Sequence, residues 1–288
     1  MLAKLGTYTL EFFKSAFVDL KAFNRYEWCF LVFFASISII FSIVDFNHVF
    51  NINDKPHVLS WENDRDNGFS YGERIIMATS GAISFSGALS VVLTSRGKLG
   101  SYFWGLINTI LYGMFAWVYK YSGDAQLNLF FFLPIQFIGI YMWMNKRDEK
   151  ETAIPRQLNW WKWILTLAFT GGVSVGFFYE IPEFSKELSG YYFFENDLTP
   201  HVLDAVTCGL SVTAQLLLLG RYADQWYFWI VNDILQIAMF SGVAGFGVNF
   251  NILFMWCLFL INAFYGLYCW LTYKPKGVHI VVDKPEIV

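Results

Sequence analysis

Apolar runs alternate with polar segments along this chain, at roughly 28–46, 75–94, 101–119, 126–144, 161–179, 201–219, 225–243 and 249–273. Each lies near the ~20 residues that carry a helix across ~30 Å of hydrocarbon, so the pattern predicts eight transmembrane helices. Ahead of them, 1–27 mixes Leu5, Phe13, Phe17 and Leu20 with Lys4, Glu11, Lys14, Asp19 and Lys21. That mixture reads as an amphipathic helix on the cytoplasmic membrane surface, with a frayed tail as the alternative. The run from Gln225 departs from the lipid-facing pattern. Gln225, Trp229, Asn232, Asp233 and Gln236 recur at i, i+4, i+7, i+8 and i+11, which is one face of a helix. A carboxylate near mid-membrane costs at least ~2.5–3.5 kcal/mol on insertion scales, so this face must look at protein or water. A polar stripe beside indoles suits the path of a small polar aromatic solute.

Composition supports a membrane protein. The 288 residues are 56% hydrophobic, 20% aromatic and 15% charged, with a mean hydropathy of +0.43. A soluble domain carries about 25% charged residues. The net charge of −3 is uninformative, whereas the placement of Lys and Arg is not. With a cytoplasmic N-terminus, fifteen of the 20 basic residues fall in inner segments and five in outer ones, so both termini are expected in the cytoplasm. The outer segment 47–74 is long and charged, and 180–200 is acidic and aromatic, reading as a soluble external turn. Cys29, Cys208, Cys257 and Cys269 form no C-x-x-C, which argues against a disulfide framework or a zinc site. No removable signal peptide and no N-x-[ST] acceptor are expected.

The chain also matches itself. Ser84 to Arg96 lies over Gly209 to Arg221, Phe103 to Asn108 over Tyr227 to Asn232, and Gly139 to Trp143 over Gly266 to Trp270, at offsets of 125, 124 and 127. Three spans therefore repeat as a triplet, 75–144 and 201–273, with 161–179 as a linker span and 28–46 as an additional one. Residues 274–288 form a cytoplasmic tail. An odd linker keeps two three-helix units parallel, and such repeats place a substrate site near the midplane at their interface.

Amides recur in both triplets. Trp104, Asn108 and Tyr112 share one helix face, Asn128, Phe132 and Gln136 another, and Pro134 is expected to loosen the backbone there. The second triplet offers the Gln225 stripe and Asn262 with Tyr265. A single amide is usually interhelical glue worth ~0.6 kcal/mol, the reading favoured for Gln126, Gln215, Asn249 and Asn251. Amides, tyrosines and indoles at equivalent places form a site that donates to and accepts from a carboxamide and offers flat faces to a cation. Trp226 and Trp229 have an alternative as interfacial aromatics; Trp143, Trp160, Trp161, Trp163 and Trp270 are expected in that belt. Asp233 and Asp204 are the ionisable groups noted within spans, either as ligand contacts or as structural partners. With no cluster of intramembrane carboxylates and no unwound-helix signature for sodium, ion coupling is not expected.

Leu106-Ile107-Asn108, Leu111-Tyr112-Gly113, Asn128, Leu133-Pro134-Ile135-Gln136-Phe137-Ile138-Gly139, Trp143, Trp226-x-x-Trp229, Asn232 and Asn262-Ala263 resemble the PnuC family of bacterial nicotinamide riboside transporters. The match covers roughly 75–273. It implies an all-α membrane protein with a three-plus-one-plus-three plan related to the SWEET sugar transporters. It also implies facilitated diffusion of nicotinamide riboside across the bacterial inner membrane, with phosphorylation trapping the substrate inside. Carried over by position, the substrate contacts would be Asn108, Tyr112, Asn128, Gln136, Trp226, Trp229, Asn232 and Asn262, joined by Asp233 from the stripe. Membrane lipid and a homo-oligomer, a trimer, are the partners expected, with no nucleic acid, cofactor or metal. The additional span and segment 47–74 exceed the seven-helix plan. A carrier of another vitamin, nucleoside or sugar is the alternative. An enzyme is disfavoured, because the chain has no H-E-x-x-H, G-x-S-x-G or P-loop.

Overall fold

In a computed structural model of the chain, the described residues are 12–43, 72, 75–76, 79–118, 122–144, 152–190, 192, 198–243 and 250–274. They form helices and no strand: α1 (Phe12–Ala22), α2 (Arg25–Ile43), α3 (Ser80–Ser95), α4 (Gly100–Val118), α5 (Ser122–Met144), α6 (Trp160–Ser189), α7 (Leu198–Leu219), α8 (Gln225–Phe240) and α9 (Phe250–Leu271). Among the described residues, four regions are long and apolar enough to cross a bilayer: Ser122–Met144, Trp160–Glu187, Leu198–Leu219 and Ile252–Leu271. A fifth is obtained if α1 and the first part of α2, bent by 109°, count as one. Helix α8 is shorter, at 16 residues, and ends ahead of Gly242, whose φ of 85° turns the chain out of the helix. Apart from Gly72, segment 47–74 lies outside the described residues, as do 1–11, Asn249 and the tail from 275 onward.

The sharp turn from α1 into α2 is built by a capping box. Asn24 Oδ1 accepts from the amides of Tyr26 and Glu27, and Glu27 Oε2 accepts from the Asn24 amide at 2.7 Å. Helix α1 lies along the start of α4: Asp19 accepts from the Gly100 amide at 2.8 Å, and Trp104 donates its indole N–H to the Ala16 carbonyl at 3.0 Å. Glu27 then ties α2 to the bundle, pairing with Arg96 beyond α3 and accepting from Tyr265 in α9 at 3.0 Å. Arg96 holds its proton more firmly than a free guanidinium, chiefly because of that hydrogen bond to Glu27. The Trp104 and Tyr265 of the sequence constellation thus serve the N-terminal helices.

Proline shapes two of the spans. Residues Leu127–Phe132 in α5 wind as a π-helix, and the Leu133 amide reaches back to the Asn128 carbonyl. The ring of Pro134 would clash with the carbonyl four residues earlier in a regular helix, and the wider turn relieves that conflict. In α6, Pro182 supplies no N–H for the Phe178 carbonyl. His201 of α7 meets that carbonyl through Nε2 at 2.5 Å and stacks its ring on Phe178 with centroids 4.0 Å apart. Helix α6 therefore continues to Ser189, so residues 180–189 are helical, not the external turn expected from composition.

The connection from α5 to α6 clamps two corners at once. Ala153 donates to the Gly97 carbonyl in the α3–α4 corner at 2.9 Å. Arg156 donates to the Arg221 carbonyl at 2.7 Å and accepts from Ala223 at 2.8 Å in the α7–α8 corner. Asp224 caps the arrangement, accepting from the Leu158 amide at 2.7 Å. The apolar core runs from α2 through α3 and α4 to α9, with Leu31, Phe34, Leu93, Phe115 and Met255 buried.

Candidate functional site

A cavity of ≈ 160 Å³ lies among α3, α4, α5, α7, α8 and α9. Of the residues expected to meet substrate, Asn108, Tyr112, Asn128, Gln136, Trp226, Trp229, Asp233 and Asn262 line it. Asn232 does not. It is fully buried behind the wall, where its Oδ1 accepts from Ser211 Oγ at 3.2 Å.

The wall is pre-positioned by bonds that each use part of an amide. Asn108 donates to the Ile83 carbonyl at 2.8 Å, Asn128 to the Asp124 carbonyl at 2.8 Å, and Asn262 to the Val91 carbonyl at 3.1 Å. Gln136 donates to Thr109 Oγ1 at 2.6 Å, and Ser95 Oγ donates to Asn262 Oδ1 at 3.1 Å. An amide offers two donors and an acceptor oxygen with two lone pairs, so each held side chain retains capacity. The indole N–H of Trp226 is buried and meets no acceptor among the described residues. It is a donor held in place without a partner, on a residue that lines the cavity.

Three cavity-lining positions escape sequence reasoning. Asp124 lines the cavity because α5 begins at Ser122, four residues before the expected start, which carries this carboxylate into the buried helix. Tyr112 donates to it at 2.8 Å. Trp256 also lines the cavity with an unpartnered indole N–H, and its signal was the i, i+3, i+6 recurrence with Phe259 and Asn262. Gln215, expected as interhelical glue, lines the cavity too. Gln126 instead bonds Glu180 at 2.7 Å.

Two expectations are corrected. Trp143 and Trp270, expected in the interfacial belt, are buried at 0% and 4% exposure. They lie at the ends of their apolar runs, but those ends pack against each other inside the protein. The expectation of no carboxylate cluster fails as well. Asp204 of α7 packs its carboxyl against Gly123, directly beside Asp124, and its Oδ2 is buried without a partner among the described residues. The described residues contain no group of three or more His, Cys, Asp or Glu able to hold a metal ion.

What the wall can do follows from its charge. Two carboxyl groups, Asp124 and Asp233, line the cavity, and no Lys, Arg or His is among its described lining residues. Such a cavity suits an organic cation with hydrogen-bonding substituents and disfavours an anion.

Residues 78–272 match the family model described as nicotinamide mononucleotide transporter. The chain is 32% identical over 188 residues to the nicotinamide riboside transporter PnuC of Haemophilus influenzae, covering 64% of this chain and 75% of that one. It is 32% identical over 194 residues to the PnuC of Neisseria mucosa, covering 64% and 68%. The fold is similar to a crystal structure of the vitamin B3 transporter PnuC, with a TM-score of 0.61 and 24% identity over 86% of this chain and 92% of that one. Helices α1 and α2 precede the matched family region, which contains every cavity residue. The chain belongs to this transporter family, that of the PnuC nicotinamide riboside transporters.

Proposed function

We propose that this chain takes up nicotinamide riboside across the bacterial inner membrane by facilitated diffusion, through alternating access to the cavity. The observation that carries this reading is the charge and chemistry of the wall: amides, indoles and two carboxyls, with no basic side chain. The pyridinium takes an indole face and a nearby carboxylate, the carboxamide takes the free donor and acceptor sites of the amides, and the ribose takes the remainder. A mononucleotide would bring a phosphate dianion against Asp124 and Asp233 with no cation to receive it. Burying a phosphate without a cationic partner is costly, so the wall favours the riboside over the mononucleotide.

In this reading Asn108, Tyr112, Asn128, Gln136, Trp226, Trp229, Asp233 and Asn262 contact substrate, and Asn232 acts by orienting Ser211. The plan is eight spans with a three-plus-one-plus-three repeat and cytoplasmic termini, supported by the self-match and the placement of basic residues. A trimeric assembly would cover part of the exposed face of α6. Phosphorylation inside the cell makes uptake one-way. The test is uptake of labelled riboside into liposomes with and without an enclosed riboside kinase and ATP. Accumulation only with the kinase, undiminished by a protonophore, is the expected result; accumulation driven by an ion gradient alone contradicts it.

A further inference from the structure

Four aromatic side chains close one end of the cavity in a reciprocal pattern. Trp143, near the end of α5, donates its indole N–H to the Leu218 carbonyl of α7 at 3.2 Å. Trp270, near the end of α9, donates to the Thr94 carbonyl of α3 at 3.0 Å. Each tryptophan therefore crosses from its own three-helix group to the other, and the two rings meet with centroids 6.0 Å apart. Tyr102 lies edge-on to Trp143 at 5.1 Å, and Trp226 lies edge-on to Trp270 at 6.1 Å.

This layer is the floor of the cavity: Thr94, Leu218 and Trp226 also line it. The rings sit against helix backbone because Gly139 and Gly266 leave room for them. A Cβ at either glycine would overlap Tyr102 or Trp226. The strap from α5 to α6 joins the two corners at this same end, near Leu99 and Ala223 of the same cluster.

We propose that Trp143 and Trp270 are gate residues, whose crossed indole–carbonyl bonds latch the α3–α5 group to the α7–α9 group and hold this end of the cavity shut. The inference rests on the transport reading above. Access to substrate from this end requires the floor to part. Because each bond joins the two groups, one relative movement breaks both. Each bond then has to be replaced by water, which enters only when the floor opens, so the intermediate with one bond broken is disfavoured. The latch is thereby close to all-or-none, as a gate requires.

The test measures accessibility without substrate, so it stands whether or not nicotinamide riboside is the solute. Native cysteines are replaced by serine, and Ser90, which lines the cavity, is changed to cysteine. Its labelling by a charged, membrane-impermeant methanethiosulfonate is followed in right-side-out and inverted vesicles. W143F and W270F keep the ring and remove the N–H. Each should speed labelling roughly two- to tenfold from one side of the membrane, the worth of one hydrogen bond in the closed state. W163F, which alters an indole stacked on Phe228 outside this layer, should leave the rate unchanged. Labelling as slow as in the parent for both gate variants, or equally fast in W163F, overturns the proposal. Riboside binding to the parent protein, measured separately by calorimetry, reports on the transport reading alone.

Discussion

At the scale of single residues, the site depends on side chains that are held by one bond and left with spare capacity. Gln136 is the sharpest case, since its donor already engages Thr109 and the residue lines the cavity. Replacing it by alanine should weaken nicotinamide riboside binding by about 1–3 kcal/mol, because a substrate amide loses its partner. Calorimetry showing unchanged affinity would remove Gln136 from the site. Asp204 makes the opposite case. Its Oδ2 is buried without a partner, so Asp204→Asn should leave thermal stability in detergent unchanged or raised. A marked loss would mean that the carboxylate has a partner essential to the fold. Much of this site was legible in the sequence, because helical spacing fixes which residues of α8 share a face. Asp124 was not, since apolar content marks where a helix enters lipid rather than where it begins. Trp143 and Trp270 were misplaced for a related reason: position at the end of a run says nothing about which neighbour covers it.

At the scale of elements, the helices are shaped by what breaks them. Pro182 frees a carbonyl that His201 then occupies, so α6 and α7 are joined at a point of backbone irregularity. His201→Ala should lower stability by about 1 kcal/mol, read as an earlier thermal transition, while leaving the cavity residues in place. No shift at all would mean that water satisfies Phe178 equally well. Gly266 carries the closer constraint, with Trp226 packed where a side chain would begin. Gly266→Ala should displace that indole, costing about 1–3 kcal/mol of stability together with riboside affinity. Pro134 signalled a loosened α5 in advance, but only coordinates reveal that the response is a π-turn. The helical extension of α6 to Ser189 was hidden because acidic and aromatic residues resemble a loop in composition.

At the scale of the whole molecule, six helices surround one cavity whose wall is acidic, amidic and aromatic. The N-terminal helices α1 and α2 stand outside the matched family region yet join the bundle through Asp19, Glu27 and Trp104. The chain belongs to the transporter family, and in the reading proposed above its cavity prefers an unphosphorylated, nicotinamide-bearing cation. The most direct measurement is titration calorimetry of the purified protein with nicotinamide riboside and with nicotinamide mononucleotide under the same conditions. The riboside should bind at least about a hundredfold more tightly, the affinity ratio expected when a phosphate is buried with no cationic partner. Equal binding of the two, or tighter binding of the mononucleotide, would contradict the account.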